Sequence, residues 1–169
     1  MREIKDLTII AAFTAILFIQ EQILTFLPNI QLTVFLLVLY SKVFGFTRTS
    51  VMIIIHVLLD NLLMGSLNVF YVPFMLIGWL IIPLVICTLC KKIDNSIILA
   101  LLGIMFSFIY SWVFIIPNVL FYNINYLTYL ATDILWELVL ALSSFITILW
   151  LYKPCSKLLI KLNGNKKFV

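Results

Sequence analysis

The chain has 169 residues, of which 64% are hydrophobic and 11% are charged, and its formal net charge is +4. A soluble domain of this length would need far more polar surface, and a disordered chain would carry far fewer aromatic residues. The composition therefore excludes both classes and predicts an all-α membrane protein, built as a single bundle of transmembrane helices.

Six apolar segments follow one another along the chain and predict six membrane-spanning helices. The first begins with charged residues, as a signal peptide does, but no small-x-small cleavage site follows it, so we expect it to be retained. The second is below the roughly 17–25 residues that a span needs, which predicts a short or tilted helix. A short basic tail over 153–169 follows the predicted spans 7–27, 31–44, 49–67, 69–90, 97–116 and 129–152.

The basic residues predict the orientation of these spans. With a cytoplasmic N-terminus and six crossings, all 11 Lys and Arg residues fall on the cytoplasmic side, as the positive-inside rule requires. If the second segment did not cross, Lys42 and Arg48 would lie outside. We therefore predict six crossings with both termini in the cytoplasm. Because the basic residues stand at helix ends, their charge does not indicate nucleic-acid binding.

Four of the seven acidic residues fall in the outer halves of predicted spans, away from any Lys or Arg. An ionised side chain at the centre of a membrane helix costs about 2.5–3.5 kcal/mol on insertion scales, so such residues indicate function. His56 and Asp60 are four residues apart and share a helix face. The same spacing joins Asp133, Trp136 and Glu137.

Polar groups in a helical bundle point inward, which predicts a pocket open to the outside between the first, third and sixth helices. Carboxyl groups without basic neighbours favour a cation or a donor-rich heterocycle as ligand. The alternative is that the acids are hydrated at the interface or cap helix ends. The predicted substrate-binding residues are Glu21, His56, Asp60, Asn61, Tyr71, Asp133, Trp136 and Glu137.

The cysteines do not predict a metal site or a cofactor. Cys87 and Cys90 form a C-x-x-C pair, to which only Cys155 could be added on that side of the membrane. A structural zinc site needs about four ligands, and His56, the sole histidine, is assigned to the other end. We expect all three cysteines to be inert, small apolar residues.

Ala11 and Ala15 form a small-xxx-small pair on the first helix, which allows close approach of another helix. With six predicted spans, an outward pocket and the stretches Pro28–Thr33 and Tyr40–Lys42, the chain resembles the substrate-binding S-components of energy-coupling factor (ECF) vitamin transporters over nearly its whole length. The resemblance implies high-affinity capture of a vitamin or related micronutrient in the plasma membrane of a prokaryote. It also implies that Ala11 and Ala15 dock on a membrane scaffold subunit driven by two ATP-binding subunits. B12-like, queuine-like, thiamine-like and pyrimidine ligands all remain open.

The chain lacks a G-x-x-x-x-G-K-[ST] loop, so we expect ATP hydrolysis only in partner subunits and do not expect an enzyme. The alternative is an intramembrane enzyme that uses Glu137, His56 and Asp60 as acid–base groups or metal ligands. No H-E-x-x-H motif, and no catalytic Ser or Cys beside a His, supports that alternative. A third class is a membrane chaperone or assembly factor without a small ligand.

Overall fold

A computed structural model describes residues 2–63 and 68–163. The described chain is all-helical, and four of its helices are long and apolar enough to cross a membrane. The end of the predicted third span at 64–67 and the end of the basic tail at 164–169 lie outside the described residues. The helices are α1 (Arg2–Leu24), α2 (Thr33–Leu63), α3 (Val72–Thr88), α4 (Ser96–Val113), α5 (Ile115–Tyr122) and α6 (Tyr126–Leu162).

The prediction of six separate membrane helices is wrong for the described chain. When α4 and α5 are counted as one continuous helix, the described chain has five helices. The short α5 continues α4 almost without interruption, so the two count as one span of 27 residues. The segments predicted at 31–44 and 49–67 form one helical element, α2, whose backbone departs from helical geometry at Gly45. A single residue with φ 80° and ψ 179° replaces the predicted turn over 45–48.

The first arm of α2 is the centre of the bundle, because every residue from Thr33 to Gly45 is buried. It runs antiparallel to α1. The Gln20 amide donates to the Thr33 hydroxyl at 2.8 Å where the arm begins, and the Phe13 ring packs on Phe44 where it ends, with centroids 4.9 Å apart. An apolar stretch that is buried on all sides needs no polar face, which explains the uninterrupted apolar run from Val34 to Tyr40.

The second arm of α2 runs in the opposite direction, parallel to α1. It begins where Arg48 forms an ion pair with Asp6 at 2.9 Å, and near its end Asp60 accepts a hydrogen bond from Gln22 at 2.9 Å. The chain therefore reverses at Gly45. Backbone with φ near 80° and ψ near 180° is essentially restricted to glycine, so this residue makes the reversal sterically possible.

Asparagine side chains cap the N-termini of α4 and α6. The side chain of Asn95 accepts a hydrogen bond from the Ile97 amide at the start of α4, and that of Asn125 does the same for Leu127 at the start of α6. Such N-caps satisfy backbone donors that have no partner inside the helix. Asn123 ends α5 in the left-handed conformation, and the resulting tight connection lays α6 against α4.

Basic residues of the described chain gather at one end of the bundle, which we call the basic end. The ammonium of Lys42 donates to the carbonyls of Cys90 and Lys91, and Arg48 follows soon after Gly45. Tyr152 of α6 donates to Asp94 at 3.1 Å, which brings Lys153 to the same end. This grouping is the one that the charge pattern predicts; the membrane side that it faces stays a prediction.

Candidate functional site

Two contacts between α1 and α2 bring together three of the predicted site residues at the opposite end. His56 Nε2 lies 2.9 Å from Glu21 Oε2, and the neighbouring Gln22 donates to Asp60 Oδ1 at 2.9 Å. Because His56 and Asp60 are one helical turn apart, two consecutive residues of α1 reach both of them. His56 is only 2% exposed, and its Nδ1 has no hydrogen-bond partner in the described chain.

Asn61 and Tyr71 were predicted as pocket residues, but their polar atoms are engaged elsewhere. The buried Asn61 amide donates to the Val57 carbonyl at 2.8 Å and contacts the Met75 sulfur of α3 at 3.3 Å. The Tyr71 hydroxyl donates to Asn118 Oδ1 at 2.8 Å, which ties the start of α3 to α5. Asn61 therefore connects α2 to α3, and Tyr71 connects the start of α3 to α5.

A second group of polar side chains lies on α6. The Tyr129 hydroxyl is 3.2 Å from Asp133 Oδ2 and 3.3 Å from the Ser111 carbonyl of α4. The hydroxyl has one proton, so it donates to one of these acceptors at a time. Trp136, another predicted site residue, is 41% exposed, and its backbone carbonyl accepts a hydrogen bond from the Asn29 side chain at 3.0 Å.

Glu137 differs from the other three acids of this end because it is fully buried, whereas Glu21, Asp60 and Asp133 are partly exposed. Its exposed fraction is 0%, and neither carboxyl oxygen forms a well-aligned hydrogen bond in the described chain. The Trp112 side chain of α4 lies beside it, and its indole N–H is a potential donor to the carboxyl group. Native proteins satisfy nearly all buried polar groups, so an exception of this kind calls for a specific explanation.

A cavity of about 240 Å³ opens between α1, α4 and the connection from α1 to α2. Glu21, Leu24 and Tyr110 form part of its wall, and Thr25 and residues 27–31 of the connection supply the rest. The connection is held against α6, because Asn29 donates to the Trp136 carbonyl at 3.0 Å and Ser143 donates to the Gln31 carbonyl at 3.1 Å. These bonds place the cavity wall over the turn of α6 that contains Glu137.

Tyr110 is a cavity residue that the sequence analysis missed. Its ring stacks on Trp79 with centroids 3.7 Å apart and planes inclined by 19°. Gly78 makes this possible, since a Cβ there would lie 2.8 Å from Tyr110 Cδ2. In the sequence Tyr110 is one aromatic residue among many in an apolar span, and no local pattern distinguishes it. Gln22 was likewise not predicted as a site residue, although it stands beside Glu21.

The predicted docking pair lies on a separate surface of α1. Ala11 and Ala15 are both exposed in the single chain. Within the described residues, no group of three or more His, Cys, Asp or Glu side chains is arranged to hold a metal ion. Glu137 makes no ion pair or hydrogen bond with His56 or Asp60 there, so the three residues of the enzyme alternative are not in direct contact.

Comparison with known proteins found no matching family model, no similar curated protein and no similar solved structure.

Proposed function

We propose that the chain is a membrane-embedded binding subunit for a small polar molecule, in the manner of an ECF-type S-component. The observation that carries the proposal is Glu137, a fully buried carboxyl group whose two oxygens form no well-aligned hydrogen bond in the described chain, although the Trp112 indole lies beside them. An unpaired buried polar group costs several kcal/mol relative to water, and a polar ligand would compensate for it by donating hydrogen bonds to the carboxyl group.

The position of Glu137 relative to the cavity supports this proposal. The connection between α1 and α2 forms the cavity wall and is hydrogen-bonded to α6 at Trp136, next to Glu137. The proposal requires that displacement of that connection opens a path from the cavity to the Glu137 carboxyl group, which does not itself line the cavity. Glu21 contributes a second carboxyl group that lines the cavity directly, and Tyr110 contributes an aromatic surface. This combination suits a cationic or donor-rich vitamin-like molecule.

The other three acids contact side chains within the protein, which reduces the number of carboxyl groups available to a ligand. His56 Nε2 lies 2.9 Å from Glu21, Gln22 donates to Asp60, and Tyr129 is within hydrogen-bond distance of Asp133. The site therefore does not present four free carboxylates, as the sequence alone would allow. A single cationic or donor-rich edge on the ligand is enough to satisfy Glu137.

Partner docking is the second part of the proposal. Ala11 and Ala15 leave an exposed strip of small side chains on α1, the same helix that carries Glu21 to the cavity. A scaffold helix packed on this strip would contact the helix that lines the ligand cavity. Transport would then draw on two ATP-binding subunits bound to the scaffold, in the plasma membrane of a prokaryote with both chain termini inside.

Native mass spectrometry of the full chain, purified in mild detergent from its source membrane, tests the binding role. We expect a retained small molecule that is not a lipid, and at least tenfold weaker retention in Glu137→Gln. Asp94→Asn makes the same chemical change in an exposed acid at the basic end and should retain the molecule fully. Equal retention in Glu137→Gln and wild type would exclude Glu137 as the anchor.

Co-purification tests the docking role separately. Ala11→Trp and Ala15→Trp should abolish recovery of a scaffold subunit and ATP-binding subunits with the tagged chain. Ala131→Trp is the matched control, because Ala131 is also exposed but lies on α6 at the other end. Undiminished recovery with the α1 variants would refute the docking face and leave the binding result untouched.

A further inference from the structure

An apolar groove runs along the outside of the bundle between the second arm of α2 and α3, and we call it the α2–α3 groove. It has a volume of about 340 Å³. Its walls repeat at helical spacing, with Phe46, Ser50 and Ile54 on one side and Ile77, Ile81 and Leu84 on the other. In a chain that spans a membrane, a groove of this kind faces the acyl chains of the bilayer.

One end of the groove lies at the basic end of the bundle. Phe46 directly follows Gly45, and the Lys42 ammonium, one turn earlier, donates to the Lys91 carbonyl at 3.0 Å. This bond brings the chain segment after α3 to the level of the Phe46 end of the groove. The side chains of Lys91 and Lys92 are both exposed, so two solvent-accessible cationic side chains belong to the segment at this end of the groove.

The other charged groups near this end are directed elsewhere. Asp94, the acid of the same connection, accepts a hydrogen bond from Tyr152 of α6 at 3.1 Å. Arg48 forms an ion pair with Asp6 of α1 at 2.9 Å. Lys91 and Lys92 are the cationic side chains of the connection between α3 and α4.

We infer that the α2–α3 groove, with Lys91 and Lys92 at its basic end, is a binding site for one anionic phospholipid. An acyl chain would occupy the groove while the phosphate lies beside the two ammonium groups. Basic residues next to transmembrane helices attract anionic headgroups in this way. Charge complementarity favours this occupant over a partner helix, because an apolar helix would leave the two lysines without a counter-charge. The site is separate from the proposed ligand cavity.

Native mass spectrometry with added dioleoyl phosphatidylglycerol or dioleoyl phosphatidylcholine tests the headgroup preference. Wild type should retain the anionic lipid about tenfold more strongly than the zwitterionic lipid, and Lys91→Gln/Lys92→Gln should abolish the difference. Lys153→Gln/Lys157→Gln removes the same charge from the exposed face of α6 and should preserve the preference. Equal retention of both lipids by wild type, or equal loss in the two double variants, would overturn the inference.

Substitutions that fill the groove with a larger side chain test whether an acyl chain binds there. Ser50→Phe, or the smaller Ser50→Leu if the first variant fails to fold, should lower retention of phosphatidylglycerol with unchanged helix content by circular dichroism. Val51→Phe is the matched control, since Val51 is exposed on the same helix and does not line the groove. Unchanged lipid retention in the Ser50 variants refutes the acyl-chain site. Loss of a dimer or of a bound protein, with lipid retention intact, would likewise refute it by assigning the groove to a partner.

Discussion

Replacing Lys42 with Met should destabilise the bundle more than any other change of a single charge at the basic end. Lys42 is 2% exposed, and its ammonium donates to the Cys90 carbonyl at 2.6 Å and to the Lys91 carbonyl at 3.0 Å. These carbonyls follow the last turn of α3, where a cation also interacts favourably with the helix dipole. The ammonium thereby fixes the first arm of α2 to the end of α3.

The magnitude follows from what the substitution leaves behind. Methionine has nearly the same length as lysine and fills the space of its buried side chain, so the substitution leaves little cavity and costs little packing energy. The Cys90 carbonyl keeps a hydrogen bond from the Ile93 amide at 3.0 Å, and the Lys91 carbonyl is only partly buried. The substitution therefore costs the two hydrogen bonds from a charged donor, at about 1.5–3 kcal/mol each. Removing the buried charge recovers part of this cost, because burying an ammonium is itself unfavourable. We expect a net loss of about 2–4 kcal/mol in the free energy of unfolding.

Equilibrium unfolding by added sodium dodecyl sulfate, followed by circular dichroism in mixed micelles, measures this loss. Lys92→Met makes the same chemical change at an exposed position and should stay within about 0.5 kcal/mol of wild type. If Lys42→Met also stays within that range, the ammonium does not hold α3, and the account of how the central arm is fixed fails.

Two further predictions concern glycines, and the same unfolding assay measures both. Gly45→Ala places a side chain at φ 80° and ψ 179° and should cost about 1–3 kcal/mol; an unchanged stability would show that the chain does not need this conformation to reverse. Gly103→Ala brings a Cβ within 2.5 Å of Ile148 Cδ1 and should cost about 1–3 kcal/mol through overpacking. Adding Ile148→Val removes that methyl group and should recover most of the loss, whereas strictly additive effects would contradict this contact.

The helices could be predicted from the sequence because apolar runs of sufficient length have few other folded forms in a membrane. The two arms of α2 show the limit of this reasoning. Hydrophobicity and charge placed a turn near Gly45, and the contacts with α1 do show a reversal there. The number of residues that leave helical geometry could not be inferred, because one glycine with positive φ is enough and nothing in the hydrophobic pattern reveals that.

Helical spacing explains why part of the candidate site could also be anticipated. His56 and Asp60 share a face, and Glu21 occupies a similar depth on α1, so their approach follows once α1 runs parallel to the second arm of α2. Tyr110 could not be anticipated in this way. Its place in the cavity wall depends on the absence of a Cβ at Gly78, a contact between α3 and α4 that sequence spacing within either helix does not contain.

Glu137 shows most clearly what the three-dimensional contacts add. In the sequence it is equivalent to the other three acids: each is an isolated carboxyl group in the outer half of a predicted span. The difference arises because Glu21, Asp60 and Asp133 meet His56, Gln22 and Tyr129, partners that come from another helix or from one turn away. These pairings distinguish the three acids that contact other side chains of the bundle from Glu137, the acid that we propose binds a ligand. The predicted cationic character of the ligand therefore depends on one carboxyl group, and Glu137→Gln tests it more directly than substitution of any of the paired acids.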